Sequence, residues 1–375
     1  MTRAERSDAI VIGAGIVGTA CARALARDGL KVLVLDAQFA GGGTTAAGMG
    51  HLVVMDDSPP QLALTALSME LWRTLSPSLA TSVEYDACGT IWVAEDDAQM
   101  NAVREKGRLF DDHGIASAVL DARALAGLEP NLRKGLAGGL LVPGDAVVYP
   151  PCAALWLLED ARAHGTVLRE GCTVDEILHG AVRCGDEVLE AHVIVNAAGA
   201  AAAQLTPALP VVPRKGHLAI TDRYPGFVRH QLVELGYLTS AHEMTNESVA
   251  FNVQPRSTTQ VLIGSSRELV GWDASTNRRV LRQMLERALL FMPVLAGLSI
   301  VRAWTGFRPA TADKLPLIGR WEATDGLWIA AGHEGLGITT SLGTACLLAD
   351  LIAGRTPSID ATPFSPMRLA TASVS

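Results

Sequence analysis

From residue 8 the chain reads "DAIVIGAGIVGTACARALARDGLKVLVLD". Its apolar positions run unbroken to Ile12, give way to glycines at 13, 15 and 18, and recur with helical spacing over residues 20–27. Asp28-Gly29 stops that pattern, and a second apolar run over 31–35 ends at Asp36. Such runs suit strands buried on both faces, so the segment predicts a parallel βαβ unit. "AHVIVNAAGA" (191–200) is another apolar run closing on a turn of small residues. Near the C-terminus, residues 327–331 lead into "GHEGLGIT" (332–339) and then a long Ala- and Leu-rich stretch, which predicts strand, glycine turn and a helix opening near Gly337. Three runs in the middle, 213–220, 249–256 and 259–266, are rich in β-branched residues and bounded by turn residues, as in an antiparallel sheet. In the second of them Asn252 and Gln254 share one face, and Phe251 and Val253 the other.

At 375 residues the chain exceeds the usual size of one hydrophobic core, so two domains are expected. With 49% hydrophobic and only 19% charged residues it suits a large, well-buried α/β protein. Apolar runs break well before the roughly 20 residues a membrane span needs, and "MTRAERSD" leads into a strand and not a signal-peptide core. A cytoplasmic location is the expectation, which leaves peripheral membrane contact open. The net charge of −8, without any Lys or Arg run, argues against nucleic acid as a partner. Six scattered cysteines form no metal-binding pair, so no metal is expected.

Gly13, Gly15 and Gly18 form G-x-G-x-x-G between the first strand and helix. The first glycine permits the tight turn, the second lets backbone approach a pyrophosphate, and the third lets helix and strand pack closely. Asp36 stands where a carboxylate can accept hydrogen bonds from an adenosine ribose. The motif fits NAD and FAD alike. The following loop, "FAGGGTTAAGMGHLVV" (39–54), is too glycine-rich for a helix and too apolar for a solvated linker. Thr44 and Thr45 offer hydroxyls there, and Gly48 and Gly50 let backbone lie flat against a planar group.

Together, "VIGAGIVG…VLD", "GTTAAGMG", "VNAAGA", "TGFRPATADKLPLIG" (305–319) and "AAGHEGLGITTSLGTACLLADLI" resemble the D-amino-acid oxidase superfamily of FAD enzymes, the glycine oxidase and sarcosine oxidase type, over nearly the whole chain. Within it, "GMGHLVVMDDSPPQLALT" and "GHEGLG" are most similar to bacterial D-hydroxyproline dehydrogenases. The resemblance implies an α/β fold with a Rossmann-like FAD-binding domain and a discontinuous, mainly antiparallel-sheet substrate domain. It implies FAD contacts from Gly13, Gly15, Ile16, Val17 and Gly18, then Asp36 and Ala37, then Thr44, Thr45, Gly48, Met49, Gly50 and His51. Val174, Ala198 and Gly199 continue the set, and Gly332, Gly335, Leu336, Gly337, Ile338 and Thr339 close it. The first domain is expected to comprise residues 1–85, 145–205 and 305–370, and the second 86–144 and 206–304.

FAD spans the distance between two helix N-termini: its pyrophosphate suits the first, and the charge gained by the reduced ring suits the positive end of the helix near Gly337. No cysteine stands at a ring-facing turn, so the FAD is expected to be non-covalent. Arg308, among Trp304 and Phe307, has a planar fork suited to a substrate carboxylate, the role of the matching Arg in glycine oxidase-type enzymes; the alternative is an ion pair with Asp313 or Glu322. His333 and Glu334 are the other catalytic candidates. Glu334 either faces the substrate's ammonium or hydroxyl group or caps the helix. Relatives often carry a tyrosine near position 252, so Asn252 and Tyr237, with His242 as a substitute, are the remaining substrate candidates.

The implied reaction is hydride transfer from the α-carbon of a small amino acid, best a D-hydroxyproline or related cyclic or secondary amino acid, to flavin N5. An oxygen-using glycine, sarcosine or D-amino-acid oxidase, a flavin subunit of a dehydrogenase complex passing electrons to a quinone or redox partner, and a nicotinamide enzyme are the rivals. The Pro-, Ser- and Thr-rich tail from Ser358 is expected to be loosely held.

Overall fold

The computed structural model describes residues 7–236 and 247–370; the candidates Tyr237 and His242 lie outside them. Two large sheets organise the chain. The six-stranded sheet runs in the order Leu317–Arg320, Leu327–Ala331, Val193–Asn196, Ala9–Ile12, Val32–Leu35, Val167–Arg169. All its pairings are parallel except that of the first two strands. Ala9–Ile12, Val32–Leu35 and Leu327–Ala331 are apolar at every position because both faces of the sheet are covered there. Val11 and Val34 point into one core, with the helices Ile16–Arg27, Pro150–Ala163 and Gly337–Ile352; Ile10, Ile12, Leu33 and Leu35 point into another, with Val182 and Leu189 of the small sheet at 176–190.

The eight-stranded sheet has the order Ile300–Ala310, Val212–Arg223, Gln260–Glu268, Glu247–Pro255, Gln231–Glu234, Thr90–Ala94, Gly138–Val142, Ala118–Asp121. It is antiparallel apart from the pairing of Gln231–Glu234 with Thr90–Ala94, in line with the expected fold class. Phe251 and Val253 face a third core beneath the helix Arg278–Phe291, where Phe251 and Phe291 stack with ring centres 4.4 Å apart. The strand Ile300–Ala310 crosses the boundary expected at residue 305, so Thr305 to Ala310 pair with this larger sheet.

Two expectations are corrected. The glycine-rich loop holds a short helix, Gly43–Ala47, which five residues could not sustain alone. It is held from outside: the Thr44 hydroxyl donates to the Phe307 carbonyl (2.6 Å), and Thr45 Oγ1 accepts from the Ile16 amide (2.9 Å). The tail from Ser358 is docked as far as residue 370. Phe364 is fully buried, and Arg368 donates to Asp313 (2.7 and 3.0 Å) and to the carbonyls of Leu315, Pro316 and Ser365.

The helix Pro59–Leu75 packs on Gly337–Ile352. A Cβ at Gly343 would lie 2.3 Å from Ser68 Oγ, and the buried Trp72 indole donates to the Thr339 carbonyl (3.1 Å) in the first turn of that helix. Trp72→Ala is therefore expected to cost about 3–5 kcal/mol, read as a lower urea midpoint, and to weaken cofactor retention along with it.

Candidate active site

The strand Ala9–Ile12 has one parallel neighbour on each side, reached by opposite crossovers, which places a crevice at its carboxyl end. Gly13 turns there with φ +102°, and a Cβ on it would lie 2.6 Å from the Ala197 carbonyl oxygen and 3.2 Å from the Ala198 α-carbon. A Cβ on Gly18 would sit 1.9 Å from the Gly13 carbonyl oxygen. Both glycines are thus required by contact. Asp36 Oδ2 accepts from the Ala14 amide (2.7 Å) and Oδ1 from the Gln38 amide (2.8 Å), spanning the exposed Ala37; the carboxylate organises the turn with lone pairs to spare for a ribose. The Cys172 amide donates to the Asp36 carbonyl (2.9 Å), and Val174 shares a core layer with Leu35. Gly199 turns with φ +57° next to Ala198.

The second helix opening meets the first. A Cβ on Gly337 would lie 3.7 Å from Val17 Cγ2, and Leu336, the N-cap of Gly337–Ile352, makes no side-chain cap. The N-cap of the first helix, Gly15, makes none either. Residues 48–51 wall the crevice: a Cβ on Gly48 would meet Ile338 Cδ1 at 2.7 Å, and one on Gly50 (φ +100°) the Val148 carbonyl oxygen at 2.0 Å. The Thr339 hydroxyl donates to the His51 carbonyl (2.9 Å), and Gln254 Nε2 donates to the Met49 carbonyl (2.7 Å), which ties this wall to the eight-stranded sheet. Two bare helix N-termini on one glycine-lined crevice fit a ligand with a pyrophosphate at one end and an electron-accepting ring at the other.

Beyond the ring end, alternate residues of Ile300–Ala310 part company. Trp304 donates to the Ala47 carbonyl (3.2 Å), and a Cβ on Gly306 would meet Ala47. Phe307 turns the other way, its ring 5.2 Å from that of Trp272, so the Trp304 and Phe307 rings do not form one wall. Arg308 Nη1 donates to the Ser266 carbonyl (2.9 Å), and its side chain occupies the space a Cβ on Gly216 would need, 2.2 Å away. A Cβ on Gly335 would lie 3.7 Å from Arg308 Nε. Of the two ion-pair partners considered for Arg308, Asp313 pairs with Arg368. Asn252 and Gln254 are buried on the face opposite Phe251, each with a side-chain carbonyl oxygen that makes no hydrogen bond among the described residues.

Glu334 has φ +48°, and its amide donates to the Pro309 carbonyl (2.8 Å). Its Oε1 lies 3.6 Å from Arg214 Nη1 and 3.5 Å from Arg267 Nε. Burial acts to raise its pKa, but Arg267, Arg308 and Arg214, with the Gly335 amide, hold the carboxyl below its ordinary range. Helix capping is therefore not its occupation. His333 differs from expectation: its Nε2 is bonded to Thr344 Oγ1 (3.0 Å) inside the terminal helix, a packing position and not a catalytic one. Gly332, with φ +78°, makes the turn before it. Burial pushes His333 down to about 3. Burial likewise pushes His51 down to about 4, with Arg308 adding to the effect and a Gln254 hydrogen bond opposing it.

Arg267 was missed because the reading of its strand ended at Ser266; alternation along Gln260–Glu268 was the only available signal. Arg214 and Lys215 are adjacent basic residues of Val212–Arg223. They point to opposite faces: Lys215 bonds to Asp273 and the Ser275 carbonyl, while Arg214 joins Glu334.

The fold and crevice define a dinucleotide-binding oxidoreductase of the flavin type. A family model for FAD-dependent oxidoreductases (DAO) matches residues 8–351, and the chain belongs to that family. It is 28% identical to the hydrogen cyanide synthase subunit HcnC of Pseudomonas protegens, over 98% of this chain and 97% of that protein. It is 30% identical to a D-amino acid dehydrogenase of Methylobacterium nodulans, over 93% and 96%. The glycine oxidase structure from Geobacillus kaustophilus superposes with a TM-score of 0.87 at 26% identity, covering 97% of this chain and 99% of that one. Among the described residues no helix is long and apolar enough to cross a membrane, and no cluster of metal-ligating side chains occurs.

Gly13→Val is expected to remove FAD, read as loss of flavin absorbance in purified, folded protein. Above pH 6.5 the imidazoles of His51 and His333 are neutral folded or unfolded; between 6.5 and about 4 only the unfolded chain takes up those protons. The urea midpoint should therefore fall as pH drops through that window, and His333→Gln should flatten part of the fall.

Proposed function

We propose that the chain oxidises a small amino acid to its imine, best a D-hydroxyproline or a related cyclic or secondary amino acid, using non-covalent FAD. The observation that carries this reading is Arg308. Its guanidinium fills the space left by the absent side chain of Gly216 and stands against Gly335, beside the bare helix end at Gly337. A planar donor fork there suits a carboxylate held by two parallel hydrogen bonds, which fixes the α-carbon. The names of the similar D-amino acid dehydrogenase and glycine oxidase point to the same substrate class.

FAD, when bound, supplies the two-electron acceptor. Gly13, Gly15, Gly18 and Asp36 would hold its nucleotide half, and residues 48–51 with Gly337, Ile338 and Thr339 the ring. The protein's own work is positioning: Arg308 fixes the substrate carboxylate, Asn252 and Gln254 line the side opposite the core, and the helix end stabilises negative charge. Among the described residues of the crevice, burial keeps the His51 imidazole neutral at physiological pH and His333 is bonded to Thr344. The amine reacts in its neutral form, because the nitrogen lone pair must form the C=N bond as hydride leaves, and the imine is released to hydrolyse.

The larger sheet forms the substrate domain, and the electrons pass on to a redox partner or quinone, in keeping with the subunit name of the HcnC relative. Arg308→Ala is expected to keep its flavin and lose about 100-fold or more in kcat/KM, with Arg308→Lys in between. Anaerobic addition of D- and L-amino acids, hydroxyprolines and sarcosine among them, should bleach the wild-type flavin. Undiminished bleaching in Arg308→Ala would remove the carboxylate assignment.

A further inference from the structure

Glu334 Oε1 is buried and accepts no hydrogen bond among the described residues. The guanidinium nitrogens of Arg214 and Arg267 stand just beyond hydrogen-bonding reach, at 3.6 and 3.5 Å, and come from two different strands of the substrate sheet. The backbone that presents this carboxylate is held in a left-handed conformation which side-chain-bearing residues seldom adopt. A buried acceptor left without a donor costs stability, so such an atom marks where a ligand's donor belongs. Gly335 stands against the guanidinium of Arg308, so this acceptor lies next to the proposed carboxylate anchor.

An amino acid can offer two kinds of donor there, its nitrogen or a side-chain hydroxyl. The nitrogen must be neutral before hydride leaves the α-carbon, and a carboxylate kept ionised by three guanidinium groups would favour the ammonium while being too weak a base to take its proton. A hydroxyl has no such conflict. We propose that Glu334 is a specificity-determining acceptor for a hydroxyl group on the substrate, with Arg214 and Arg267 as the positioning residues that hold it. This rests on the amino-acid reading of the site. It narrows the substrate class to hydroxylated amino acids, and it gives the oxidation a site that reads the hydroxyl separately from the carboxylate.

The test is anaerobic flavin reduction by the holoenzyme with matched pairs, cis- and trans-4-hydroxy-D-proline against D-proline and the corresponding L-pairs. A site built around a hydroxyl rejects the analogue lacking it, so wild type should prefer one hydroxylated member by about 100-fold or more in kcat/KM. Glu334→Ala should compress that ratio at least tenfold, chiefly through KM of the hydroxylated substrate. The near-isosteric Glu334→Gln carries the same test if the alanine variant fails to fold. Arg267→Gln should compress the ratio as well, and Arg267→Lys should restore part of it, which a merely structural role would not do. Wild type that reduces both members within threefold overturns the proposal, as does a Glu334 variant in which both members fall together. Reduction by no amino acid at all would instead sink the amino-acid reading on which the proposal stands.

Discussion

Gly337 lies against Val17, so the last long helix opens beside the first turn of the chain. That abutment, packed along the two helices, lets one crevice carry unpaired N–H groups at both ends of its length. The short helix Gly43–Ala47, the wall at 48–51 and the helix Pro59–Leu75 all take their places from this contact, through Thr45, Thr339 and Trp72.

The eight-stranded sheet is built on a different principle. Charged side chains are sunk into a sheet whose other face is apolar, an arrangement that costs desolvation and persists only where the charges hold one another or a ligand. Arg214, Arg267 and Arg308 project from three strands that are neighbours in the sheet, though they lie far apart in sequence. Glu334 enters from the turn that leads into the terminal helix, so that helix end and the arginine cluster share one loop.

The local elements were largely legible. Apolar strands covered on both faces, the glycine turn at 13–18 and the small-residue turn after Asn196 are strong patterns because sterics near the backbone dictate them. Asn252 and Gln254 share the face opposite Phe251 because strand alternation admits two choices and Phe251 had to face the core. The errors share another cause. Gly43–Ala47 is a helix because Phe307 and Ile16 complete its hydrogen bonds. The tail is ordered because Arg368 finds Asp313, and Phe307 leaves the site wall for Trp272. Each depends on a partner far along the chain.

What the sequence by itself determined was the nucleotide half: glycine spacing, strand burial and the acidic residue at the second strand's end are local consequences of backbone geometry. It also singled out Arg308, since an arginine among apolar neighbours carries its need for an anion wherever it is placed. Only the tertiary structure decided that His333 is a packing residue, that Lys215 turns away while Arg214 turns in, and that Arg267 stands over Glu334. The reason is physical: a charge's role is set by which other charges come within a few ångströms in a medium of low polarisability, and strand order, not sequence distance, governs that.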